Sequence, residues 1–314
     1  MAAKAKAKSK QSAIPQQRTT AKSSSSQPKE PHQKQGQQSP PNWPPLKPLI
    51  PTSSLSLTTV LPSQIYTIPH FFTSTLCRTY VAFLSTSIPL VTTPKTRKRD
   101  EAVRVNDRFH VHDPLFAERL WVETGLKEVV GRGVDGYEDD EKGKEDEDED
   151  GKDQKKNAEK KQDNNTNDHK DIWGGEVLGL NPNIRIYRYS PGQFFAPHYD
   201  ESVALDFSPS ANSNPNPPSI PARTTWTLLI YLTTCAGGET VFYPDPEPTA
   251  KGSKSKSKSS ASSRDARPPE PIAVSLEVGM ALLHRHGEKC LLHEGREVKA
   301  GEKWVIRSDL VVRR

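Results

Sequence analysis

Two hydrophobic periods divide the chain. Between Thr73 and Ser85, TSTLCRTYVAFLS opens on a Thr-x-Thr cap and then sets Leu76, Tyr80, Val81 and Leu84 at helical spacing, which predicts a helix packed on a core. Leu115 to Val130 (LFAERLWVETGLKEVV) repeats that spacing with Leu115, Phe116, Leu120, Trp121 and Leu126, and predicts a second helix. From Asn183 onward the period shortens to two. IRIYRY (Ile184 to Tyr189) alternates apolar and basic residues, TWTLLIYL (Thr225 to Leu232) is β-branched and aromatic, and ETVFY (Glu239 to Tyr243) follows a Gly-Gly pair. MALLHRH and KWVIRSDLVV complete a series of short strands. Helices followed by short strands predict a mainly β (α+β) fold of the double-stranded jelly-roll type, with the helices as support.

Composition shortens the part of the chain that can form this core. Of 314 residues, 32% are hydrophobic and 28 are proline, so much of the length lies outside any core. Residues 1–46 are expected to form a disordered tail rich in basic residues and proline. Low-complexity insertions are expected near 136–170, which contains EDEDED, near 208–221 (SPSANSNPNPPSIP within it) and near 244–271, which contains KGSKSKSKSSASS. One domain, 47–314, with its catalytic barrel mainly in 172–314, accounts for the remainder. The net charge of +5 averages segments of opposite sign and says little about partners of the folded part.

The basic start lacks the apolar stretch of a secretory signal, and no run of about 18 apolar residues occurs, so neither secretion nor a membrane-spanning helix is expected. Cys77, Cys235 and Cys290 are odd in number and lack zinc-ligand spacing, as reduced thiols of an intracellular protein would. Cytoplasm and nucleus both fit.

Candidate chemistry centres on FFAPHYDESVALDF, where His198 and Asp200 stand two residues apart. Residues i and i+2 of a strand point to one face, so both can reach a single metal ion. A mononuclear non-haem iron site requires two histidines and a carboxylate, with open positions for a chelating co-substrate and oxygen. His293, in CLLHEGREVKAGEKWVIRSD, supplies a third ligand, and Lys303 ten residues later suits the remote carboxylate of a dicarboxylic keto acid.

YSPGQFFAPHYD (Tyr189 to Asp200), AGGETVFYP (Ala236 to Pro244) and HEGREVKAGEKW (His293 to Trp304) follow one another in an order that resembles the 2-oxoglutarate and Fe(II) dependent oxygenases of the prolyl 4-hydroxylase type. The resemblance covers Leu178 to the C-terminus, more weakly from Ile65. It implies iron ligation by His198, Asp200 and His293, 2-oxoglutarate binding by Lys303 and Tyr189, and O2 as co-substrate, with ascorbate a further candidate cofactor. Phe195 stands where the family often has a tyrosine, so a hydroxyl contact to substrate is absent there. Gly237 and Gly238 provide the turn into the strand carrying Glu239 and Thr240.

The implied activity is hydroxylation of a C–H bond, first of a prolyl or other residue in a protein or peptide. The basic segments, with Arg307 and Arg313 six apart, leave a nucleic-acid demethylase of the same superfamily as one alternative, and a non-catalytic jelly-roll binding module as another. Among the remaining polar residues, His284 and His286 share a strand face and are expected to be structural or supporting, with nothing nearby to complete a site. His110 and His112 before Asp113 are expected in a structural turn. Arg104, Asn106 and Arg108 alternate as a strand face that could line the substrate mouth, and Arg307 is expected at the surface or as an extra anion contact.

Overall fold

The alternating patterns resolve into two antiparallel sheets. The structure, a computed structural model, describes residues 39–94, 102–133, 172–208, 218–245 and 269–314, all within the unit Gln37–Arg314. In chain order the first strands are β1 (Thr58–Leu61), β2 (Ile65–Ile68), β3 (Val91–Thr92), β4 (Arg104–Val105), β5 (Asp107–His112), β6 (Val177–Leu180), β7 (Asn183–Tyr189), β8 (Phe194–His198) and β9 (Ala204–Phe207). The second half adds β10 (Ile220–Tyr231), β11 (Cys235–Gly237), β12 (Thr240–Tyr243), β13 (Ile272–Val274), β14 (Ala281–Arg285), β15 (Leu292–Gly295), β16 (Val298–Gly301) and β17 (Lys303–Arg313). Among the described residues the helices α1 (Ser74–Ser87), α2 (Pro114–Val122) and α3 (Leu126–Arg132) precede β6.

The larger sheet runs β1-β2-β14-β10-β17-β7-β5-β3, with β6 and β9 joined to β17 and β10. The smaller runs β13-β12-β15-β8-β4, and β11 with β16 forms a separate ribbon. Strand alternation splits the apolar residues into two cores. On one face of the larger sheet Trp226, Leu228, Ile230, Trp304 and Ile306 join Leu76, Tyr80, Phe116 and Leu120 of the helices. On the other face Tyr187, Tyr189, Tyr231, Leu282 and Val305 meet Phe242 and Val274 of the smaller sheet. The expected jelly-roll arrangement with helical support is therefore present.

Local details follow the residues. Thr73 Oγ1 accepts a hydrogen bond from Leu76 N at 3.1 Å and caps α1 at the predicted residue. The single helix predicted over 115–130 is instead two, because Gly125 sits at φ +76° and a side chain there would collide with Thr52. Pro114 opens α2 and Asp113 Oδ1 caps it by accepting from Phe116 N at 3.0 Å, which leaves Leu115 on the solvent side rather than in the core.

Trp43 and Leu46, counted with the tail by composition, are buried, and Trp43 Nε1 donates to Asp113 Oδ2 at 2.7 Å. Residues 1–38 of the tail, EDEDED and most of the three insertions lie outside the described residues. Ile220 and Pro221, assigned to an insertion, belong to β10.

Arg104, Asn106 and Arg108 do not share one strand face. Arg104 is in β4 of the smaller sheet and Arg108 in β5 of the larger, while Asn106 between them is fully buried with Thr93 Oγ1 donating to its Oδ1. His110 and His112 are likewise in β5 on its exposed face, and only Asp113 serves as the turn residue.

Candidate active site

Strand pairing brings the predicted ligands together. His198 at the end of β8 lies directly opposite His293 of β15, and their ring centroids are 4.2 Å apart. Asp200 follows β8 by two residues, and its Oδ1 lies 3.8 Å from His198 Nε2 while its Oδ2 lies 3.7 Å from His293 Nε2. The three ligand atoms fall within 4.8 Å of one another, a spacing suited to one metal ion. The third ligand thus comes from the adjoining strand of the same sheet, not from a remote one.

The hydrogen bonds around the histidines select the tautomer a metal needs. His198 Nδ1 is 2.9 Å from the Ala196 carbonyl and His293 Nδ1 is 3.0 Å from the Leu291 carbonyl. A carbonyl only accepts, so Nδ1 carries the proton and Nε2 presents its lone pair toward Asp200. Burial, with the neighbouring imidazole, pulls the pKa of His198 down to about 3, and burial lowers His293 as well. Both rings are neutral at neutral pH, and no proton has to leave before a cation enters. Phe195 stacks on the His198 ring with centroids 3.5 Å apart and forms a wall against that imidazole.

Asp200 is held by three donors. Arg307 Nη2 is 2.9 Å from Oδ2 and Nη1 3.2 Å from Oδ1, and Thr227 Oγ1 donates to Oδ2 at 2.9 Å. A carboxylate has about four acceptor positions, so one remains beside the imidazoles for a metal. Burial pushes the Asp200 carboxyl upward, but Arg307 and the adjoining histidines together outweigh it and keep it well below the usual carboxylate range. Asp309 balances the arginine, receiving Arg307 Nη2 at 3.5 Å and Arg185 Nη2 at 2.7 Å.

Thr227 has one proton and gives it to Asp200. His286 Nδ1, 3.0 Å from Thr227 Oγ1, must then donate, while His286 Nε2, 2.9 Å from Thr224 Oγ1, accepts. His286 therefore supports the site through Thr227, as a supporting role requires.

His284 stands closer than expected. Its Nε2 is 3.8 Å from Asp200 Oδ2 and its ring 4.6 Å from His293, so a third imidazole abuts the ligand cluster. Arg307 is also not a surface residue, since β17 alternation carries it to the face of Lys303. That i+4 relation on one strand was the signal for it in the sequence. Arg313 is exposed and pairs with Glu176 at 2.7 Å, away from the cluster.

Lys303 occupies the far end of the same cavity. It is 5% exposed, and its Nζ donates to the Gly238 carbonyl at 2.7 Å and to Thr240 Oγ1 at 3.4 Å, between the rings of Tyr189 and Tyr231. Among the described residues no carboxylate pairs with it. Burial lowers its pKa to about 8, the direction expected for a cation that still lacks its anion. Gly238, at φ +74°, lets the chain approach, because a Cβ there would sit 2.8 Å from Cys235 Sγ.

Tyr189 pairs with Lys303 across β7 and β17, and both line the cavity with His198, Asp200, His293 and Arg307. Cys77, Cys235 and Cys290 are all free thiols, and Cys290 Sγ accepts from the Asp200 amide at 3.3 Å.

No protein-family profile and no curated protein match the chain. Solved structures similar to it include a viral collagen prolyl hydroxylase from Paramecium Bursaria Chlorella virus-1 in complex with 2OG, at 17% identity over 79% of this chain and 96% of that one, TM-score 0.36. A Pseudomonas putida prolyl-4-hydroxylase is 14% identical over 80% and 94%, TM-score 0.41. An oxidoreductase of the 2OG-Fe(II) oxygenase family from Burkholderia pseudomallei is 15% identical over 81% and 87%, TM-score 0.38.

Proposed function

We propose that this protein is an Fe(II)- and 2-oxoglutarate-dependent dioxygenase that hydroxylates a C–H bond, foremost of a prolyl or other residue in a protein or peptide. The observation that carries this reading is the cavity shared by a His198–Asp200–His293 set and a buried lysine without a counter-anion among the described residues. Two imidazoles and one carboxylate are the donor set of non-haem iron oxygenases. Iron(II) bound with 2-oxoglutarate and O2 would supply the oxidising power for an unactivated C–H bond.

The chain's own residues do the positioning. His198 and His293 would offer Nε2, aimed by the two carbonyls behind them, and Asp200 its remaining lone pair. Arg307 and Thr227 hold the other Asp200 positions, so the carboxylate stays ionised and binds through one side. Lys303 would take the remote carboxylate of 2-oxoglutarate as a charge-assisted pair, with Tyr189 and Tyr231 enclosing it and excluding water.

The test is succinate formation from 2-oxoglutarate by purified protein supplied with Fe(II), ascorbate and O2. Slow succinate release without added substrate, absent in His293→Ala, is the expected result. A folded wild type that forms no succinate, alone or with candidate peptides, would overturn the reading.

A further inference from the structure

A second and larger cavity, about 390 Å³, opens beside the first, and Asp200, Tyr187 and Arg307 line both. Its walls come from the two strands that the sequence joined into one face. β5 contributes Arg108 and His110, which lie across from Tyr187 and Arg185 of β7. β4 contributes Arg104, whose guanidinium stands 4.7 Å from the centre of the Phe195 ring and 5.5 Å from that of Tyr187. Four arginines therefore border one cleft that ends at the proposed metal site.

Their charges are not equivalent. Arg307 and Arg185, at the floor, are committed to Asp200 and Asp309. Among the described residues no carboxylate lies within ion-pair distance of Arg104 or Arg108, which stand on opposite sheets at the sides of the cleft. Arg104 is fixed by its aromatic neighbours and presents a pre-oriented planar donor set, the geometry that suits a carboxylate.

We infer that this cleft binds the substrate as a peptide segment carrying acidic side chains next to the hydroxylated residue, with Arg104 and Arg108 receiving those carboxylates. The inference deepens the oxygenase reading and rests on it for the word substrate. A peptide fits better than a nucleic acid because two cations without an ion-pair partner among the described residues fall short of the roughly six to ten phosphate contacts of a typical nucleic-acid binder.

Fluorescence anisotropy decides it. Protein loaded with Mn(II) and 2-oxoglutarate is titrated with a labelled proline-containing peptide bearing aspartates on both sides of the proline, and with versions in which the aspartates become asparagine or lysine. Oligothymidylate is the competitor. The aspartate peptide should bind about tenfold tighter than the asparagine one, equivalent to ~1.4 kcal/mol, and tighter again than the lysine one. Arg108→Glu, at an exposed strand position, should abolish that order, and Arg104→Gln should weaken it.

Equal affinity for the three peptides, or no binding of any, would overturn the inference. So would oligothymidylate displacing the aspartate peptide with a steep salt dependence, which would assign the cleft to nucleic acid. Acidic preference in a protein that forms no succinate would keep the cleft and remove the oxygenase reading. Succinate formation without acidic preference would do the reverse.

Discussion

The two faces of the larger sheet are built from the same strands and behave as different materials. Along β17, Trp304, Ile306 and Leu310 point to the helices and join the apolar core, with Trp304 also donating its Nε1 to Glu302, whereas Lys303, Arg307 and Asp309 point to the smaller sheet and meet charges and imidazoles. The helical face removes apolar surface from water and supplies stability. The inner face places two cations, two carboxylates and three imidazoles where water is scarce, which is costly unless each is paired. Arg307 and Asp200 are paired. Lys303 has no carboxylate partner among the described residues, and the proposed 2-oxoglutarate contact would supply one.

Substitutions on each face should separate these roles. The largest effect belongs to Asp200→Ala, which removes a proposed metal ligand and also leaves Arg307 short of its main partner. It should abolish iron binding and destabilise the metal-free protein by about 3–5 kcal/mol in denaturant unfolding, the range for a broken buried ion pair. His198→Ala should abolish iron binding with a far smaller loss of stability. Equal stability losses in the two variants would contradict the account of Arg307.

On the helical face Ile306→Ala should cost about 2–5 kcal/mol of stability, read by urea unfolding, and leave the iron affinity of the folded fraction unchanged. Next in size is Lys303→Met. Loss of a charge-assisted contact of about 1.5–3 kcal/mol should weaken 2-oxoglutarate binding roughly ten- to a hundredfold, with iron binding retained.

The same lysine sets a pH dependence. Its folded pKa, lowered to about 8 by burial, lies below the ordinary 10.5, so the unfolded chain holds this proton more tightly and stability from this group rises with pH between the two values. Anion binding runs the other way: 2-oxoglutarate affinity, followed by calorimetry, should fall as pH rises through about 8, and Lys303→Met should remove that fall.

Thr227→Val acts at one remove, by freeing the Asp200 oxygen it holds and stranding His286. Iron affinity should drop roughly tenfold, the lower end for supporting residues, with 2-oxoglutarate binding to the remaining chelate unaltered.

How much of this was readable in the sequence depended on whether a residue's role is set locally. Thr73 capping α1 and the strand TWTLLIYL depend on neighbours in the chain, and both stand where the pattern puts them. His198, Asp200, His293 and Lys303 were legible because their spacing reflects strand alternation and a short β15–β17 connection. Arg307, expected at the surface or as an anion contact, makes the anion contact, and His284, expected to be structural or supporting, lies beside Asp200; the chain's local pattern did not decide either, because their surroundings come from other strands. Asn106 was misjudged for a related reason: the chain changes sheets at that residue, and alternation does not survive the crossing. The break at Gly125 was visible as a glycine, but only the approach of Thr52 makes a left-handed turn there necessary.

The most direct test of the metal site is an anaerobic absorption titration of the purified protein with iron(II) and 2-oxoglutarate, repeated on His198→Ala. A visible charge-transfer band that saturates in the wild type and is missing from the variant is the predicted result. A folded wild type that shows no band would contradict it, and would leave a jelly roll that binds without catalysing.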